Sequence, residues 1–250
     1  MKTKIWAHRG ASAYAPENTM QAFQLAREMG ADGFELDVHL TKDGHLVVAH
    51  DETVDRCSDG TGRIIDKTLK QLSELDFSKG FSRFSPARIP TLLQVLEYAQ
   101  DYDLTVNIEL KTDRIMYRNI EKKAIELVNS LNMRDKVIFS SFNHYSIKLV
   151  KQIEPRANIG ILYTEAMIDP CLYACHLKAE AIHPYYLTLM VPETVEGCKK
   201  HNVKIHTWTV NDKEHIAWLV KEGVDAIITD CPDAAVRTRN MLQNKRRRKN

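Results

Sequence analysis

The 250-residue sequence lacks the long apolar runs and the export signal that would place a chain in or across a membrane. No apolar run approaches the roughly 18 residues that a membrane-spanning helix needs. Residues 1–6 lead directly into a strand-like segment, without the charged region, apolar stretch and small-residue cleavage site of a signal peptide. We therefore expect a cytoplasmic protein with no membrane span.

Cysteine is scarce, and its spacing does not describe a metal site. An odd number of cysteines without an export signal indicates reduced thiols rather than a disulfide framework. Cys171 and Cys175 are four residues apart, but a zinc site would need two more ligands at a recognisable spacing. These two residues are predicted to be structural. The five cysteines are Cys57, Cys171, Cys175, Cys198 and Cys231.

The body of the chain has no net positive charge. The formal net charge is +2, and the segment 245–249 alone supplies five positive charges, so the remainder carries −3 (2 − 5). A body with this charge is not a basic nucleic-acid binder, and no nucleic-acid partner is expected. Residues 245–250 are predicted to form a disordered basic tail after a single domain of residues 1–244. Weak attraction of this tail to anionic lipid or nucleic acid is the alternative.

Strand-like and helix-like segments alternate along the chain. Amphipathic segments predict helices at residues 18–29, 91–101, 119–131, 192–201 and 213–222. Eight strands alternating with helices predict a (β/α)8 TIM barrel. An open doubly wound sheet is the alternative, but the Gly-rich turn that usually follows its first strand is missing. The predicted strands are residues 4–8, 33–38, 105–110, 137–141, 158–163, 181–185, 204–208 and 226–230.

One stretch interrupts this alternation. Between the second predicted strand and the helix at residue 91 lie about fifty residues with a further strand-like run at 46–49. We interpret residues 41–90 as an insertion on one βα loop. Such loops form the catalytic face of a barrel.

Acidic residues occur at the ends of two predicted strands. Glu35 and Asp37 are two residues apart, so both side chains point to the same side of the strand. Two neighbouring carboxylates repel each other unless a hard cation neutralises them, or unless the strand end is exposed and pairs with lysines. Glu109 and Lys111 repeat the spacing on the third strand, although Glu-Leu-Lys alone is a common surface tripeptide. Together the strand ends predict a site with three carboxylates and one fixed positive charge.

Two histidines are predicted to lie near these carboxylates. The first strand ends in His8-Arg9-Gly10, and His50-Asp51 falls within the insertion. Two histidines at strand exits are a plausible general acid and base, and an adjacent arginine is suited to bidentate phosphate binding. The other histidines, including His183 and His206, are predicted to be surface or packing residues.

Three further residues have competing interpretations. Asn18 and Gln21 resemble a helix capping box, which predicts a structural role for Asn18. Trp208 and Asp230 end the last two strands. Trp208 either lines the site or is a packed indole, and Asp230 either lines the site or caps a helix. Trp208 is retained as a candidate substrate contact.

The ordered motifs make the chain similar to the bacterial glycerophosphodiester phosphodiesterase family. The resemblance covers nearly the whole chain. One departure is Arg56-Cys57-Ser58, where many members have Arg-Thr-Thr, and this leaves the leaving-group contacts open. The matching stretches are 7–11 (AHRGA), 16–19 (PENT), 34–38 (FELDV), 40–44 (LTKDG), 47–51 (VVAHD), 89–92 (IPTL), 107–111 (NIELK), 207–211 (TWTVN) and 228–230 (ITD).

The resemblance implies a metal-dependent enzyme that converts glycerophosphodiesters to glycerol 3-phosphate and an alcohol. It implies catalytic roles for His8 and His50 and phosphate contacts from Arg9 and Lys111. Calcium or magnesium is the implied cofactor. The implied metal ligands are Glu35, Asp37 and Glu109.

Two alternatives remain open at this point. A lysophospholipase-D-type enzyme would need an apolar channel, which Phe77, Phe81 and Phe84 of the insertion would build unless they form the insertion's own core. A catalytically silent phosphodiester-binding barrel would predict loss of a histidine or a carboxylate, and all five residues are present.

Overall fold

A closed parallel barrel organises the chain. The computed structural model describes residues 2–247, with side chains described through residue 242. Within these residues, one sheet contains eight parallel strands and a ninth antiparallel strand. The strands are β1 (Lys4–His8), β2 (Gly33–Leu40), β3 (Leu46–Val48), β4 (Thr105–Leu110), β5 (Val137–Ser141), β6 (Asn158–Tyr163), β7 (Ala181–Pro184), β8 (Lys204–Thr207) and β9 (Ala226–Thr229).

The barrel closes because β1 pairs in parallel with both β9 and β2. The parallel strands follow one another around the barrel in chain order, and β4 lies directly beside β2. Strand β3 lies outside the barrel and pairs antiparallel with the end of β2, where Val38 is opposite Val48. The predicted (β/α)8 TIM barrel is confirmed, and the eight predicted strands are those of its wall.

Helices lie between the barrel strands. Helices α7 and α8 have the bounds predicted from sequence, whereas α1 begins two residues later than predicted. Thr19, rather than Asn18, caps α1, because its side chain accepts a hydrogen bond from the Ala22 amide. The helices are α1 (Met20–Glu28), α2 (Leu69–Ser73), α3 (Leu92–Asp101), α4 (Ile120–Ser130), α5 (His144–Ile153), α6 (Pro170–Leu177), α7 (Pro192–His201), α8 (Lys213–Glu222) and α9 (Pro232–Arg247).

The barrel interior contains a packed polar pair. His183 and His206 are buried, and His206 Nδ1 lies 2.9 Å from His183 Nε2. The Trp6 ring packs edge-on against His206, with 4.6 Å between the ring centroids. Burial lowers the pKa of His183 to about 3, so both rings are neutral packing groups near neutral pH. Their prediction as packing residues agrees with this position.

The insertion forms a small layer with its own core. Residues 41–91 connect β2 to α3 and contain β3 and α2. Phe77 is buried within this core, whereas Phe81 and Phe84 pack against each other, with 6.5 Å between their ring centroids. Phe77 therefore belongs to the insertion's own core. The residues buried in the core are Val47, Val54, Ile64, Leu72, Phe77 and Ile89.

The C-terminal helix extends further than the sequence suggested. Helix α9 continues to Arg247, so the backbone of residues 245–247 is helical where a disordered tail was predicted. Residues 248–250 lie outside the described residues, and the prediction for them stays a prediction. Among the described residues, no helix is both long enough and apolar enough to cross a bilayer.

Candidate active site

Three buried acidic side chains converge where β2 and β4 lie side by side. Asp37 on β2 is the register partner of Glu109 on β4, and Glu35 lies two residues before Asp37 on the same side of β2. Each offers a carboxylate oxygen within 4.8 Å of the other two. The three residues are between 1% and 8% exposed, which excludes the alternative of an exposed strand end.

The site opposes ionisation of two of these carboxylates. Burial, together with repulsion from Asp37 and Glu109, raises the pKa of Glu35 well above its ordinary value. Burial also raises the pKa of Glu109 to about 7. Burial acts on Asp37 in the same direction, but Lys111 and Arg9 more than offset it, and the pKa of Asp37 is lowered. A positive charge placed among the three groups would therefore favour the ionised form of Glu35 and Glu109.

A divalent cation fits this cluster. Asp37 Oδ1 is buried and has no hydrogen-bond partner among the described residues. Lys111 Nζ lies 3.6 Å from this oxygen, which is too far for a hydrogen bond, so the oxygen keeps a position at which it could ligate a metal ion. Oxygen ligands from carboxylates are those that hard cations prefer. The triad of Glu35, Asp37 and Glu109 could therefore hold a divalent metal ion.

Two fixed cations border the triad. Lys111 Nζ donates a 2.7 Å hydrogen bond to Glu109 Oε1 and lies 3.6 Å from Asp37 Oδ1. Arg9 Nε lies 3.4 Å from Asp37 Oδ2, and the Arg9 amide donates to Glu35 Oε2 at 3.0 Å. The predicted phosphate-binding residues Arg9 and Lys111 thus lie beside the predicted metal ligands.

The loop after β1 is shaped by backbone conformations that few residues adopt. Arg9 has a φ of 55° and Gly10 a φ of 80°. A Cβ atom at position 10 would lie 2.6 Å from the backbone carbon of Ala22. Glycine is therefore required for the close approach of this loop to α1.

The two predicted catalytic histidines each pair with an aspartate. His8 Nδ1 lies 2.7 Å from Asp230 Oδ1, and His50 Nδ1 lies 2.6 Å from Asp51 Oδ1. Burial would raise the pKa of Asp230, but its hydrogen bond with His8 offsets this and holds the pKa at about 2. Burial acts likewise on Asp51, and Arg56 and His50 hold its pKa at about 2.

These pairs determine which nitrogen of each histidine faces the site. An ionised aspartate can only accept, so Nδ1 of each histidine carries the donated proton and Nε2 is left to exchange a proton. His8 Nε2 lies 4.0 Å from Glu35 Oε2, which places it at the edge of the triad. Burial lowers the pKa of His50, so this ring is neutral near neutral pH.

An ionic network connects Asp51, the partner of His50, to Arg9 on the loop after β1. Glu17 accepts a 3.1 Å hydrogen bond from Arg9 Nη1. It also accepts hydrogen bonds of 2.7 Å from both terminal nitrogens of Arg56. Arg56 Nε also donates to Asp51 Oδ2 at 2.7 Å. The network therefore positions the insertion, which carries His50 and Asp51, against the loop after β1.

The cleft above the triad is polar on one side and apolar on the other. His8, Arg9 and His50 line it beside the carboxylates, whereas Phe142 and Trp208 line the opposite wall. The cleft has a volume of about 80 Å³ and adjoins an open depression of about 280 Å³ that also includes His8 and Arg9. Trp208 Nε1 donates to the His183 carbonyl at 2.8 Å, which orients the indole. The structure thus brings the predicted substrate-contact residue Trp208 to the same cleft.

The prediction that Asn18 is a helix cap is wrong. Asn18 has a φ of 57°, and its Nδ2 donates a 2.8 Å hydrogen bond to Asp37 Oδ2. Its side chain thus holds a member of the carboxylate triad. The adjacent Thr19 is the cap, and two polar residues in succession gave no signal of which one would serve the helix.

Several site residues carried no decisive sequence signal. From the sequence, Asp230 was equally consistent with a helix cap and with a site residue. In the structure it is the hydrogen-bond partner of His8, 222 residues away in the chain. Asn107 lines the cleft and is buried, with both side-chain polar atoms unpartnered among the described residues. The alternation of Asn107 with Glu109 on β4 placed both on one side of the strand, and that was the available signal.

Comparison with known proteins agrees with this geometry. The model of the Glycerophosphoryl diester phosphodiesterase family matches residues 8–234. The chain belongs to this family. A glycerophosphodiester phosphodiesterase of Caldanaerobacter subterraneus subsp. tengcongensis is 48% identical over 237 residues, covering 94% of this chain and 97% of that protein.

Solved structures of the glycerophosphoryl diester phosphodiesterase family share the fold. A glycerophosphodiester phosphodiesterase from Agrobacterium tumefaciens superposes with a TM-score of 0.83 at 32% identity, covering 93% of this chain and 98% of that one. An Oleispira antarctica phosphodiesterase in complex with the product sn-glycerol-3-phosphate has a TM-score of 0.89 at 28% identity, covering 95% and 96%. The predicted resemblance and the predicted enzyme class are confirmed.

Proposed function

We propose that this protein hydrolyses glycerophosphodiesters to glycerol 3-phosphate and a free alcohol, with calcium or magnesium held by Glu35, Asp37 and Glu109. The observation that carries the proposal is one cleft in which this buried triad lies between two histidine–aspartate pairs. Membership of the phosphodiesterase family supports the reaction class. The A. tumefaciens and C. subterraneus relatives are named for this activity.

The charges of the cleft suit a phosphodiester. Glu35, Asp37 and Glu109 carry three negative charges when ionised, and Arg9 and Lys111 carry two positive charges, which leaves one negative charge. A bound divalent ion would reverse this to one positive charge, and the single negative charge of a phosphodiester would neutralise it. The bound ion would supply Lewis-acid stabilisation of the charge that develops on the phosphate oxygens.

Arg9 and Lys111 are proposed to hold the remaining phosphate oxygens. Arg9 lines the cleft and is held there by its ion pairs with Glu17 and Asp37, so its guanidinium stands beside the position proposed for the phosphate. Lys111 lies within hydrogen-bonding distance of Glu109, and this contact keeps its ammonium group charged and in place. Arg9 lies on the loop after β1 and Lys111 lies at the end of β4, so the two cations approach the triad from two sides.

His8 and His50 are proposed as the general acid and base. The paired aspartates hold each Nδ1 proton, so the two Nε2 atoms are the ones available to accept and deliver protons. One Nε2 would take a proton from the attacking oxygen, and the other would give a proton to the leaving alcohol. The attacking oxygen belongs either to water or to the glycerol hydroxyl next to the phosphate, in which case a cyclic phosphate forms first.

A silent binding barrel is the weaker candidate. A protein that only binds the diester would not need aspartates that fix the proton of both histidines. Both pairs are present, with distances of 2.7 and 2.6 Å. Their presence favours an enzyme.

A panel of phosphodiesters tests the proposal. Purified protein is incubated with glycerophosphocholine, glycerophosphoethanolamine and a diester that lacks glycerol, before and after thorough chelation and after addition of calcium or magnesium. We expect release of glycerol 3-phosphate from the glycerol diesters, its loss on chelation, and its recovery with either ion. Full turnover in the chelated sample would contradict the metal requirement, and a preference for the diester without glycerol would contradict the substrate.

A further inference from the structure

A buried tyrosine and a buried histidine are hydrogen-bonded in sequence to the backbone of His50. Tyr117 lies between β4 and α4, and His39 lies on β2, two residues after Asp37 and on the same side of the strand. The Tyr117 hydroxyl lies 2.8 Å from His39 Nδ1, and His39 Nε2 lies 3.1 Å from the carbonyl oxygen of His50. His39 is 0% exposed and Tyr117 is 6% exposed. We call His39 and Tyr117 the anchoring pair.

The partners determine the direction of both hydrogen bonds. Burial lowers the pKa of His39 and raises the pKa of Tyr117, so both groups are neutral near neutral pH. A carbonyl oxygen only accepts, so His39 Nε2 carries the ring proton and donates it to His50. Nδ1 of a neutral ring is then an acceptor, and the Tyr117 hydroxyl donates to it. The anchoring pair therefore presents a fixed donor to the His50 carbonyl.

This donor attaches the His50 backbone to the strand that carries two of the proposed metal ligands. Strand β3 ends at Val48, so His50 lies beyond the ladder that pairs β3 with β2. Its neighbour Ala49 donates a 3.0 Å backbone hydrogen bond to the Asp37 carbonyl. The bond from His39 continues this attachment by one residue. The position of the His50 backbone relative to Asp37 is thus set through β2.

The orientation of the His50 ring depends on two separate restraints. Asp51 lies 2.6 Å from Nδ1 and limits rotation of the ring, whereas His39 holds the backbone from which the ring extends. A general acid or base must lie within about 2.6–3.2 Å of the atom with which it exchanges a proton. A misplacement of about 1 Å can lower a rate by about 10²-fold. Loss of the backbone restraint should therefore slow the reaction even with Asp51 in place.

We propose that His39 and Tyr117 are positioning residues for hydrolysis, and that they act by holding the His50 backbone on β2. The inference rests on the proposed function, in which His50 is a general acid or base. The described residues that line the cleft do not include His39 or Tyr117, so their effect on the substrate is exerted through His50. Packing, the role that the sequence predicts for His39, does not by itself require a hydrogen bond at each ring nitrogen.

The same arrangement occurs a second time, away from the proposed acid and base. His144 Nδ1 lies 3.0 Å from the Tyr173 hydroxyl, and His144 Nε2 lies 2.8 Å from the Leu162 carbonyl. The ring centroids are 5.5 Å apart in this pair and 5.6 Å apart in the anchoring pair. Leu162 has no proposed acid, base or metal-binding role. His144 is therefore a matched control for the loss of such a histidine.

Four single variants test the anchoring pair. His39→Phe keeps a ring beside Tyr117 but removes both hydrogen bonds, whereas His39→Gln keeps an amide that can donate to the His50 carbonyl. Tyr117→Phe removes one oxygen, and His144→Phe is the control. Hydrolysis of glycerophosphocholine with metal present gives kcat and KM for each variant and the wild type. Calorimetry gives the dissociation constant of the metal ion, and thermal unfolding gives Tm.

We expect the loss to appear in kcat. His39→Phe should lower kcat by about 10- to 100-fold, with KM and the metal dissociation constant within about twofold of the wild type. Tyr117→Phe should lower kcat by about three- to tenfold, the equivalent of one neutral hydrogen bond. His39→Gln should retain kcat within about threefold, because the donor to His50 is kept. His144→Phe should lower Tm but leave kcat within about twofold of the wild type.

A double variant distinguishes positioning of His50 from a general effect on the fold. In the His50→Ala background no ring remains to be positioned, so adding His39→Phe should change the residual kcat by less than about twofold. A further fall of about tenfold in that background would overturn the proposal. If His39→Phe does not fold, Tyr117→Phe in the two backgrounds gives the same comparison.

Three other results would also overturn the role of the anchoring pair. These are an unchanged kcat in His39→Phe, a metal affinity that falls in parallel with kcat, which would place the effect on Asp37, and a loss in His39→Gln as large as that in His39→Phe. Absence of glycerophosphocholine hydrolysis in the wild type would instead overturn the proposed function, and this inference with it.

Discussion

Affinity for the divalent ion should fall by about tenfold or more when the pH is lowered from about 8 to about 6. Burial raises the pKa of Glu109 to about 7, and that of Glu35 lies well above its ordinary value. The ion binds the ionised carboxylates, so it competes with these protons. For a pKa of about 7, protonation of Glu109 weakens binding by a factor of roughly 1.1 at pH 8 and roughly 11 at pH 6. Protonation of Glu35 adds to this difference.

Two measurements check this expectation. Titration calorimetry with calcium or magnesium at pH 6, 7 and 8, in buffers of different ionisation enthalpy, gives the affinity and the number of protons released. Thermal unfolding also reports the affinity, because an ion that binds only the folded protein raises its Tm. An ion at about 100 times its dissociation constant stabilises the fold by about 2.7 kcal/mol, or roughly 5–11 °C in a chain of this size. At pH 6 the same concentration is about 10 times the dissociation constant, so the increase in Tm should be about half as large.

The increase in Tm on adding the ion reports on the carboxylates separately from other titrating groups. Because the folded-state pKa values of Glu35 and Glu109 are raised, their contribution to metal-free stability is full below the ordinary value of 4.5 and is lost as the pH rises through about 7. His183 acts in the opposite direction. Its folded-state pKa of about 3 lies below the ordinary 6.5, so stability is lost as the pH falls below 6.5. That effect is common to the metal-free and metal-bound proteins and cancels from the difference.

A variant separates the effect of the carboxylates from that of a histidine in the same cleft. His50→Asn should show the same pH dependence of metal binding as the wild type, since His50 is not a proposed ligand. Dissociation constants that agree within twofold at pH 6 and pH 8 would refute the reasoning, because the triad would then be fully ionised at pH 6.

Three further outcomes are expected. His8→Ala and His50→Ala should each lower kcat by about 10²- to 10⁴-fold with metal affinity retained, and the double variant should be little worse than either single one. Recovery of either single variant on adding metal would instead identify that histidine as a ligand. Asp230→Asn should lower kcat with little change in Tm, because the neutral amide no longer fixes the Nδ1 proton of His8. The pH–rate profile of the variant should therefore differ from that of the wild type, and an unchanged profile would contradict this role of Asp230. Gly10→Ala should destabilise the fold by at least about 2 kcal/mol, since the φ of 80° is unfavourable for alanine and the new Cβ meets the Ala22 backbone at 2.6 Å. A Tm within about 2 °C of the wild-type value would contradict this and show that the loop relaxes.

The alternation of side chains along a strand was readable directly from the sequence. Glu35 and Asp37, and likewise Asn107, Glu109 and Lys111, had to share one side of their strands, because successive residues of a strand point to opposite faces. The regular alternation of strands and helices likewise predicted the closed barrel, and the structure confirms it.

The tertiary structure decided which of these groups meet. The strand Leu46–Val48 follows β2 in the sequence but pairs only with its end, outside the barrel, whereas β4 pairs along β2 and places Glu109 next to Asp37. Closure between β1 and β9 brings Asp230 to His8 across 222 residues. Asn18 joins Asp37 because a positive φ turns it away from the helix that its neighbour caps. Side-chain alternation depends on local backbone geometry and is therefore present in the sequence, whereas contacts between distant side chains depend on strand register, barrel closure and loop conformation, which are determined only when the whole chain packs.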